Sequence, residues 1–366
     1  MTEAPALPGA WPRGRVVVAM SGGVDSAVAA ALLVEAGCEV VGVTMQLYDH
    51  GRAVARAGSC CAGRDVRDAR AVAEHLRIPH YVLDYQDVFR RAVIDDFVDG
   101  YARGRTPIPC VRCNERIKFG ELLDFARDLG ADALATGHYV ERREGPDGPE
   151  LHRAADLAKD QSYFLFTTTP AQLARLCFPL GRLTKVETRA HARRLGLPVA
   201  EKPESQDICF VPDGDHTRVV AAARPEALRP GPIEHVDGRP LGRHRGLASV
   251  TVGQRRGLAI AGGERLYVTR IDPESGTVTM GPRAALAVRE IELTAANWLT
   301  RLDSGRSVTI RHRHTPRCAV ARVVAEPDGR FRVILDAPEH GVAPGQACVA
   351  YDGTRLLGGG WIETTR

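Results

Sequence analysis

The stretch Val16-Val17-Val18-Ala19-Met20-Ser21-Gly22-Gly23-Val24-Asp25-Ser26-Ala27-Val28-Ala29-Ala30-Ala31 decides how the chain is read. Val16–Met20 is a β-branched run that predicts a strand. Ala27–Ala36 predicts an apolar helix ended by Gly37. Between them lies a turn with two adjacent glycines, which lets backbone pass close to a phosphate. The helix that follows offers free N–H groups and the positive end of its dipole, and both suit an anion. Ser21 and Ser26 add hydroxyls, and Asp25 could hold Mg²⁺ against the phosphates. No GxxxxGK[ST] occurs in the chain, so this is not a Walker A loop. The bland alternative is an ordinary strand-to-helix turn, and the coincidence of motif, strand and helix weighs against it.

Outward from this loop the pattern repeats. Val40–Leu47, His80–Asp84 and Ala131–Thr136 read as strands; Arg67–Leu76, Val88–Tyr101 and Asn114–Leu129 read as helices. Such alternation predicts an α/β fold, a doubly wound parallel sheet that binds ligands at the carboxyl ends of its strands. Thr184-Lys185-Val186-Glu187 is a capping box that opens a basic helix ending near Gly196. Beyond about Lys202 the texture changes to short runs such as Leu266–Ile271, Val308–Ile310, Arg330–Leu335 and Ala347–Ala350. Asp213-Gly214, Asp237-Gly238, Asp328-Gly329 and Asp352-Gly353 are turn signals between them. The expected organisation is a flexible tail at 1–14, a nucleotide-binding catalytic domain at 15–208, a small β-rich central domain at 209–285 and a C-terminal β-barrel at 286–366.

The 366 residues are 44% hydrophobic and 26% charged, which excludes a disordered chain or a fibre. The longest clean apolar run, Ala27–Val34, is far short of the ~18–20 residues of a membrane helix. The first fourteen residues hold three prolines and no apolar stretch, unlike a signal peptide. A soluble, cytoplasmic chain with no membrane partner is expected. Net charge is only +4, yet just Lys118, Lys159, Lys185 and Lys202 are lysines, against 45 arginines. Codon bias in a GC-rich genome is the bland reading. Arginine forks suit phosphates, so clusters matter more than the total.

Nine cysteines in a chain of this size are core residues, metal ligands or reactive thiols rather than staples. Cys110-Val111-Arg112-Cys113 lies in a Pro-rich loop expected just before the Asn114 helix, where a helix N-terminus and arginines favour thiolate. Cys209 stands alone in Glu204-Ser205-Gln206-Asp207-Ile208-Cys209-Phe210. Structural thiols, a three-ligand metal or iron–sulfur site on Cys110, Cys113 and Cys209, and a reactive pair all stay open. Cys60-Cys61 reads as unexplained loop; Cys38, Cys177, Cys318 and Cys348 read as small core residues.

The loop resembles the PP-loop of ATP pyrophosphatases. The chain as a whole resembles the bacterial tRNA-specific 2-thiouridylase family in six ordered blocks: Ser21–Ser26, Thr106–Phe119, Ala135–Tyr139, Lys159–Phe166, Lys202–Val211 and Gly253–Leu258. The resemblance implies that ATP activates the 2-oxygen of the wobble uridine, which sulfur from a cysteine persulfide then replaces. It makes Cys113 the nucleophile and Cys209 the persulfide carrier, joined transiently as a disulfide. It places ATP against Ala19, Met20, Ser21, Gly22, Gly23, Val24, Asp25, Ser26, Met45 and Gly137, with Mg²⁺ arriving alongside and no metal held by the protein itself. Ile108, Pro109 and Cys110 match target-base contacts; His138, Lys159, Asp160, Gln161, Arg311, His312 and Gln346 match tRNA contacts. Three positions depart from the usual pattern: Cys110 where some members carry Asp, Ile108 for Asn and His312 for Tyr. The implied partners are tRNAs for Lys, Glu and Gln and a cysteine desulfurase or sulfur-relay protein, with the enzyme acting as a monomer.

Arg301, Arg306, Arg311, Arg313, Arg317 and Arg322 against a single acid, Asp303, read as a basic patch for phosphates. Alternation puts Arg311 and Arg313 on one strand face and Val308 and Ile310 on the other. Two other functions stay open on sequence alone. One is the same thiolation through an iron–sulfur cluster; the other is tRNA binding without catalysis.

Overall fold

The computed structural model describes residues 12, 14–48, 61–204, 208–211, 214–260, 264–303 and 305–366. The expected tail at 1–14, apart from Pro12 and Gly14, lies outside them, as do Cys60 and Asp213. The chain forms two compact units, one from Met1–Gln86, Lys118–Ser162 and Pro170–Glu204, the other from Asp87–Ile117, Tyr163–Thr169 and Ser205–Arg366.

In the first unit the β-branched runs become β1 (Arg15–Ala19), β2 (Glu39–Gln46), β3 (His80–Asp84) and β4 (Ala133–Thr136), with a two-residue β7 (Leu176–Cys177) at the edge. Their order is β3-β2-β1-β4-β7, and every pairing is parallel. The winding therefore reverses direction between β1 and β4, which leaves a crevice at the carboxyl ends of those two strands. Helix α1 (Val24–Glu35) is apolar all round because it is covered all round. Ala69 and Val72 of helix α2 (Cys61–Leu76) and Ala192 of helix α5 (Lys185–Arg194) join its core against Val16, Val18 and Ala135. Strands β5 (Val140–Gly145) and β6 (Gly148–Arg153) form an antiparallel hairpin.

Several helix starts differ from the sequence reading, among them those of α1 and α2. Helix α1 begins at Val24 rather than Ala27, since the loop winds straight into it with Gly23 as its N-cap. Helix α2 begins at Cys61 rather than Arg67.

The second unit opens with helix α3, which runs through Gln86–Phe89, a π-helical segment Arg90–Ile94 and Asp95–Ala102. Helix α4 follows as Pro109–Arg112, a π-helical segment Cys113–Glu121 and Leu122–Asp128, leading the chain back into the first unit. A four-stranded sheet, β10-β11-β8-β9, comprises β8 (Gly231–His235), β9 (Pro240–His244), β10 (Tyr267–Asp272) and β11 (Thr277–Gly281). Its core is Ile233, Val250, Val268, Val278 and Met280. Six strands then close on themselves: β12 (Ala287–Trp298), β13 (Ser307–Arg311), β14 (Ala319–Ala325), β15 (Phe331–His340), β16 (Ala347–Asp352) and β17 (Arg355–Thr365). Strand β12 pairs with both β15 and β17, which removes the free edges. Ile291, Ile310, Ala321, Leu357 and Ile362 fill the barrel.

The capping box forms as read: the Thr184 side chain accepts from the Glu187 amide at 3.2 Å, and Glu187 accepts from the Thr184 amide at 2.7 Å. Thr184→Ala should cost about 1 kcal/mol, read as a fall of about 2–4 °C in the thermal midpoint, with Thr184→Ser close to wild type. An unchanged midpoint would show that α5 does not depend on its cap.

Candidate active site

Gly22 takes φ +72°, and a Cβ there would lie 2.3 Å from the Asp65 carbonyl oxygen, so only glycine fits. Ser26 ties the turn shut: its hydroxyl donates to the Gly23 carbonyl at 3.1 Å and accepts from the Ser21 amide at 3.1 Å. The Ser21 and Ser26 hydroxyls lie 3.2 Å apart. Ser21 is exposed at the mouth of the loop, while Met20 and Val24 are buried beneath it. Across the crevice, a Cβ on Gly137 would sit 2.7 Å from the Ser26 amide nitrogen. The end of β4 thus meets the first turn of α1 backbone to backbone. Ala19 ends β1, and half-buried Met45 lies near the end of β2, so the expected ATP positions do gather at the carboxyl edge of one sheet.

Charge around the loop comes from residues distant in sequence. Lys185 Nζ lies 2.6 Å from Asp25 Oδ1, which also accepts from the Tyr139 hydroxyl at 2.9 Å. Lys185 reaches Glu204 at 3.3 Å, and Lys159 reaches the same carboxylate at 2.6 Å. The hydrogen bond from Lys159, with Lys185 behind it, holds Glu204 below its ordinary carboxylate range. Lys202 donates to the Gly22 carbonyl at 3.0 Å, to Asp65 at 2.8 Å and to Asp68. Burial pulls the Lys202 ammonium down, but those carboxylates outweigh it and raise it. Tyr139, Lys185, Lys202, Glu204, Asp65 and Asp68 were not in the sequence-read site. The scarcity of lysine and the blocks Ala135–Tyr139 and Lys202–Val211 pointed to part of that set.

His138 is buried beside Phe119 and Phe178, with Nδ1 2.8 Å from the Thr136 hydroxyl and Nε2 3.5 Å from Lys118 Nζ. Burial, then the Lys118 charge, hold the imidazole well below its usual range. A neutral ring is also what lets Nε2 accept from Lys118. Asp160 is buried too and accepts from Arg153 Nε at 3.0 Å and the Ser162 amide at 3.1 Å. Gln161 Oε1 accepts from the Tyr139 amide at 2.9 Å, pinning the segment that carries His138.

In the second unit, Pro109 stands at the first turn of α4, where its fixed φ suits helix entry. This corrects the expectation of a loop: Cys110 lies in that first turn, and Cys113 follows one turn later on the same face. Cys110 is exposed and Cys113 buried. Thr106 is strapped to the barrel by its amide to the Pro344 carbonyl at 2.9 Å and by Gln346 Nε2 to its own carbonyl at 2.8 Å. Arg112 lies 4.3 Å over the Trp361 ring and pairs with Asp96 of α3 at 3.3 Å. Ile108 is buried where the helix begins.

The Cys209 segment meets the same helix. Phe210 packs edge-on against Phe89 at 5.8 Å and Phe97 at 5.2 Å, and buried Val211 follows it. Cys209 itself is exposed. Helix α3 thus seats both cysteine segments, with Asp96 on one and Phe89 and Phe97 on the other. By contrast, burial pushes Cys177 and Cys348 up to about 12 and raises Cys38, as suits thiols that only fill space.

Among the described residues, no group of three or more His, Cys, Asp or Glu side chains could hold a metal ion. Cys110, Cys113 and Cys209 therefore do not present a cluster donor set. Asp25 Oδ1 is shared between Tyr139 and Lys185, so a magnesium ion approaching that atom has Lys185 to displace.

The barrel corrects the basic patch. Strand β13 ends at Arg311, so Arg313 is not on its face. Arg311 is 1% exposed. Its Nε donates to the Thr315 carbonyl at 2.9 Å, another nitrogen donates to the His314 carbonyl, and the guanidinium lies 5.4 Å from the Tyr163 ring. His312 is buried against Glu339 at 3.4 Å. Arg301, Arg313, Arg317 and Arg322 are exposed and carry the patch's outward charge.

A Gly-rich anion loop at the switch point of a parallel sheet, followed by two β domains, defines a nucleotide-loop enzyme with appended barrels. Family models agree: a tRNA methyl transferase HUP domain matches residues 14–213, a tRNA methyl transferase PRC-barrel domain residues 219–282 and an aminomethyltransferase β-barrel domain residues 288–362. The chain is 60% identical to the tRNA-specific 2-thiouridylase MnmA of Rhodospirillum centenum over 95% of its length and 91% of the relative's. It is 57% identical to that of Cereibacter sphaeroides over 95% and 94%, and 56% identical to that of Parvibaculum lavamentivorans over 98% and 93%. The domain descriptions speak of methyl transfer, but the end-to-end relatives are thiouridylases. The chain belongs to the tRNA-specific 2-thiouridylase family.

The depressed imidazole gives a pH prediction. Unfolded chains bind a proton at His138 below about pH 6.5 and the folded chain does not, so its contribution to stability is lost as pH falls below that value. The thermal midpoint of wild type should fall more steeply between about pH 6.5 and 5 than that of His138→Gln; parallel profiles would contradict the buried neutral ring.

Proposed function

We propose that this chain replaces the 2-oxygen of a tRNA uridine with sulfur, consuming ATP. The observation that carries the reading is the seating of the Cys110–Cys113 turn and the Cys209 segment on one helix, in a chain that also bears a nucleotide loop.

A uracil carbonyl is a weak electrophile with a poor leaving group. Its 2-oxygen attacks the α-phosphorus of ATP, pyrophosphate leaves, and the oxygen becomes part of an adenylate. The terminal sulfur of a Cys209 persulfide then attacks C2, and AMP departs with the former carbonyl oxygen. The Cys113 thiolate attacks the Cys209 Sγ, the S–S bond to the transferred sulfur breaks, and that pair of electrons completes the C2=S group. The products are 2-thiouridine and a Cys113–Cys209 disulfide, which a thiol reductant reopens. Closure of that disulfide requires the two Cα atoms to come within about 7 Å. The persulfide is loaded from outside, by a cysteine desulfurase or a relay protein, so Cys209 has to be accessible; it is exposed. Mg²⁺ enters with the phosphates, and AMP and pyrophosphate leave after each turn.

The exposed arginines Arg301, Arg313, Arg317 and Arg322 supply the phosphate contacts, and exposed Cys110, with Ile108 and Pro109 buried behind it, faces the approach of an already unstacked anticodon base. Tyrosine is replaced by a buried His312, so base stacking is not assigned to that position. By analogy with the resembled family, the substrates in this reading are wobble uridines of tRNAs for Lys, Glu and Gln, and the enzyme acts as a monomer in the cytoplasm.

Incubation of unmodified tRNA with ATP, a persulfide donor and the protein should yield 2-thiouridine by mass analysis of nucleosides. Cys113→Ser and Cys209→Ser should each lower the yield by at least about 100-fold, the scale on which loss of a nucleophile acts. Full thiolation by either variant would remove the assignment. Added salt should weaken tRNA binding log-linearly; a salt-independent affinity would count against the arginine contacts.

A further inference from the structure

A reaction that closes a Cys113–Cys209 disulfide once per sulfur needs a way to reopen it in every cycle. Cys113 is only 8% exposed, so a thiol from outside does not reach its sulfur. Cys209 is exposed, but attack there leaves the reductant on the sulfur that must next be loaded. One thiol of the site has no part in the sulfur chemistry described so far. Cys110 is exposed and stands one turn before Cys113 in Cys110-Val111-Arg112-Cys113.

Two cysteines three residues apart at the start of a helix are a redox pair when the backbone spacing suits a disulfide. Helix geometry sets Cα atoms three residues apart at about 5 Å, inside the roughly 4.4–6.8 Å range of disulfides. The turn here also carries the tighter i→i+3 bond, since the Cys113 amide donates to the carbonyls of both Cys110 and Pro109. Pro109 fixes the entry to this turn. Arg112, between the two thiols, is held by Asp96 at 3.3 Å, by Glu115 at 2.9 Å and by the Trp361 ring at 4.3 Å. Both sulfurs are thus carried on one pinned turn, where Cys110 meets Cys113 far more often than a thiol free in solution does.

We propose that Cys110 is the resolving thiol of this site and reopens the Cys113–Cys209 disulfide from within the protein. The Cys110 thiolate attacks the Cys113 Sγ, the Cys113–Cys209 bond breaks, and its electron pair leaves on Cys209 as thiolate. The proton given up by Cys110 passes to solvent. A Cys110–Cys113 disulfide remains, so the exchange is neither a net oxidation nor a net reduction, and Cys209 is free to take the next sulfur. A dithiol reductant then attacks the exposed Cys110 Sγ, is itself oxidised to a disulfide, and returns both cysteines to thiols. The inference rests on the persulfide reading above and adds the step that regenerates the carrier.

Protein loaded with persulfide at Cys209, freed of excess donor and given unmodified tRNA and ATP without reductant, tests the step in a single turnover. After acid quench, alkylation and peptide mapping, wild type should carry one Cys110–Cys113 disulfide for each 2-thiouridine formed, with Cys209 alkylated. Cys110→Ser should stop at the Cys113–Cys209 disulfide. With a small dithiol added, the ratio of steady-state to first-turnover rate in Cys110→Ser should fall at least about tenfold below the wild-type ratio, a modest advantage for an intramolecular thiol. A lasting Cys113–Cys209 disulfide in wild type with Cys110 alkylated, or an unchanged ratio in Cys110→Ser, would overturn the inference. Formation of 2-thiouridine with all three cysteines alkylated would overturn the Cys113 step and this inference with it. A wild-type chain that forms no 2-thiouridine would instead overturn the thiolation reading on which both stand.

Discussion

The whole nucleotide site depends on a close approach between two pieces of backbone. The first turn of α1 and the end of β4 come so near that a single added carbon at Gly137 would lie 2.7 Å from the Ser26 amide. Gly22, held in the left-handed region against the Asp65 carbonyl, makes the matching turn on the other side. With no Cβ at Gly22 or Gly23, the backbone at the amino end of α1 lies open to the surface where the nucleotide reading puts a phosphate. Ala69, Val72 and Ala192 bury α1, and Ser26 and Lys202 hold this turn in place.

The strands were legible because β-branched runs at regular intervals leave few alternatives, and β3 falls on His80–Asp84 as read. The helix starts were less legible. The loop's own residues, Val24 to Ser26, belong to the first turn of α1, and Pro109 opens α4 instead of preceding it. Both are cases in which a motif and a helix overlap, so that a reading which assigns each residue to one or the other misplaces the boundary.

The charges around the loop could not be read at all from local pattern. Lys185 and Asp25 are 160 residues apart, and Lys202 and Gly22 are 180 apart. Arg311 failed for a different reason. Period-two alternation presumes that a strand continues, but β13 stops there, and the guanidinium turns inward to satisfy the carbonyls of the loop that follows. The cysteines sit between these extremes: their chemistry was visible in the sequence, while the shared seat on α3 through Asp96, Phe89 and Phe97 was not.

The account makes one oxygen atom the link between nucleotide and base. An anticodon stem-loop with ¹⁸O at C2 of its wobble uridine, thiolated by this protein with ATP in ordinary water, reports on that link through the mass of the AMP formed. One ¹⁸O in the AMP phosphate for each 2-thiouridine is the predicted result. Unlabelled AMP accompanying full conversion to 2-thiouridine would contradict it, because the oxygen would have left by a route that never touched the α-phosphorus.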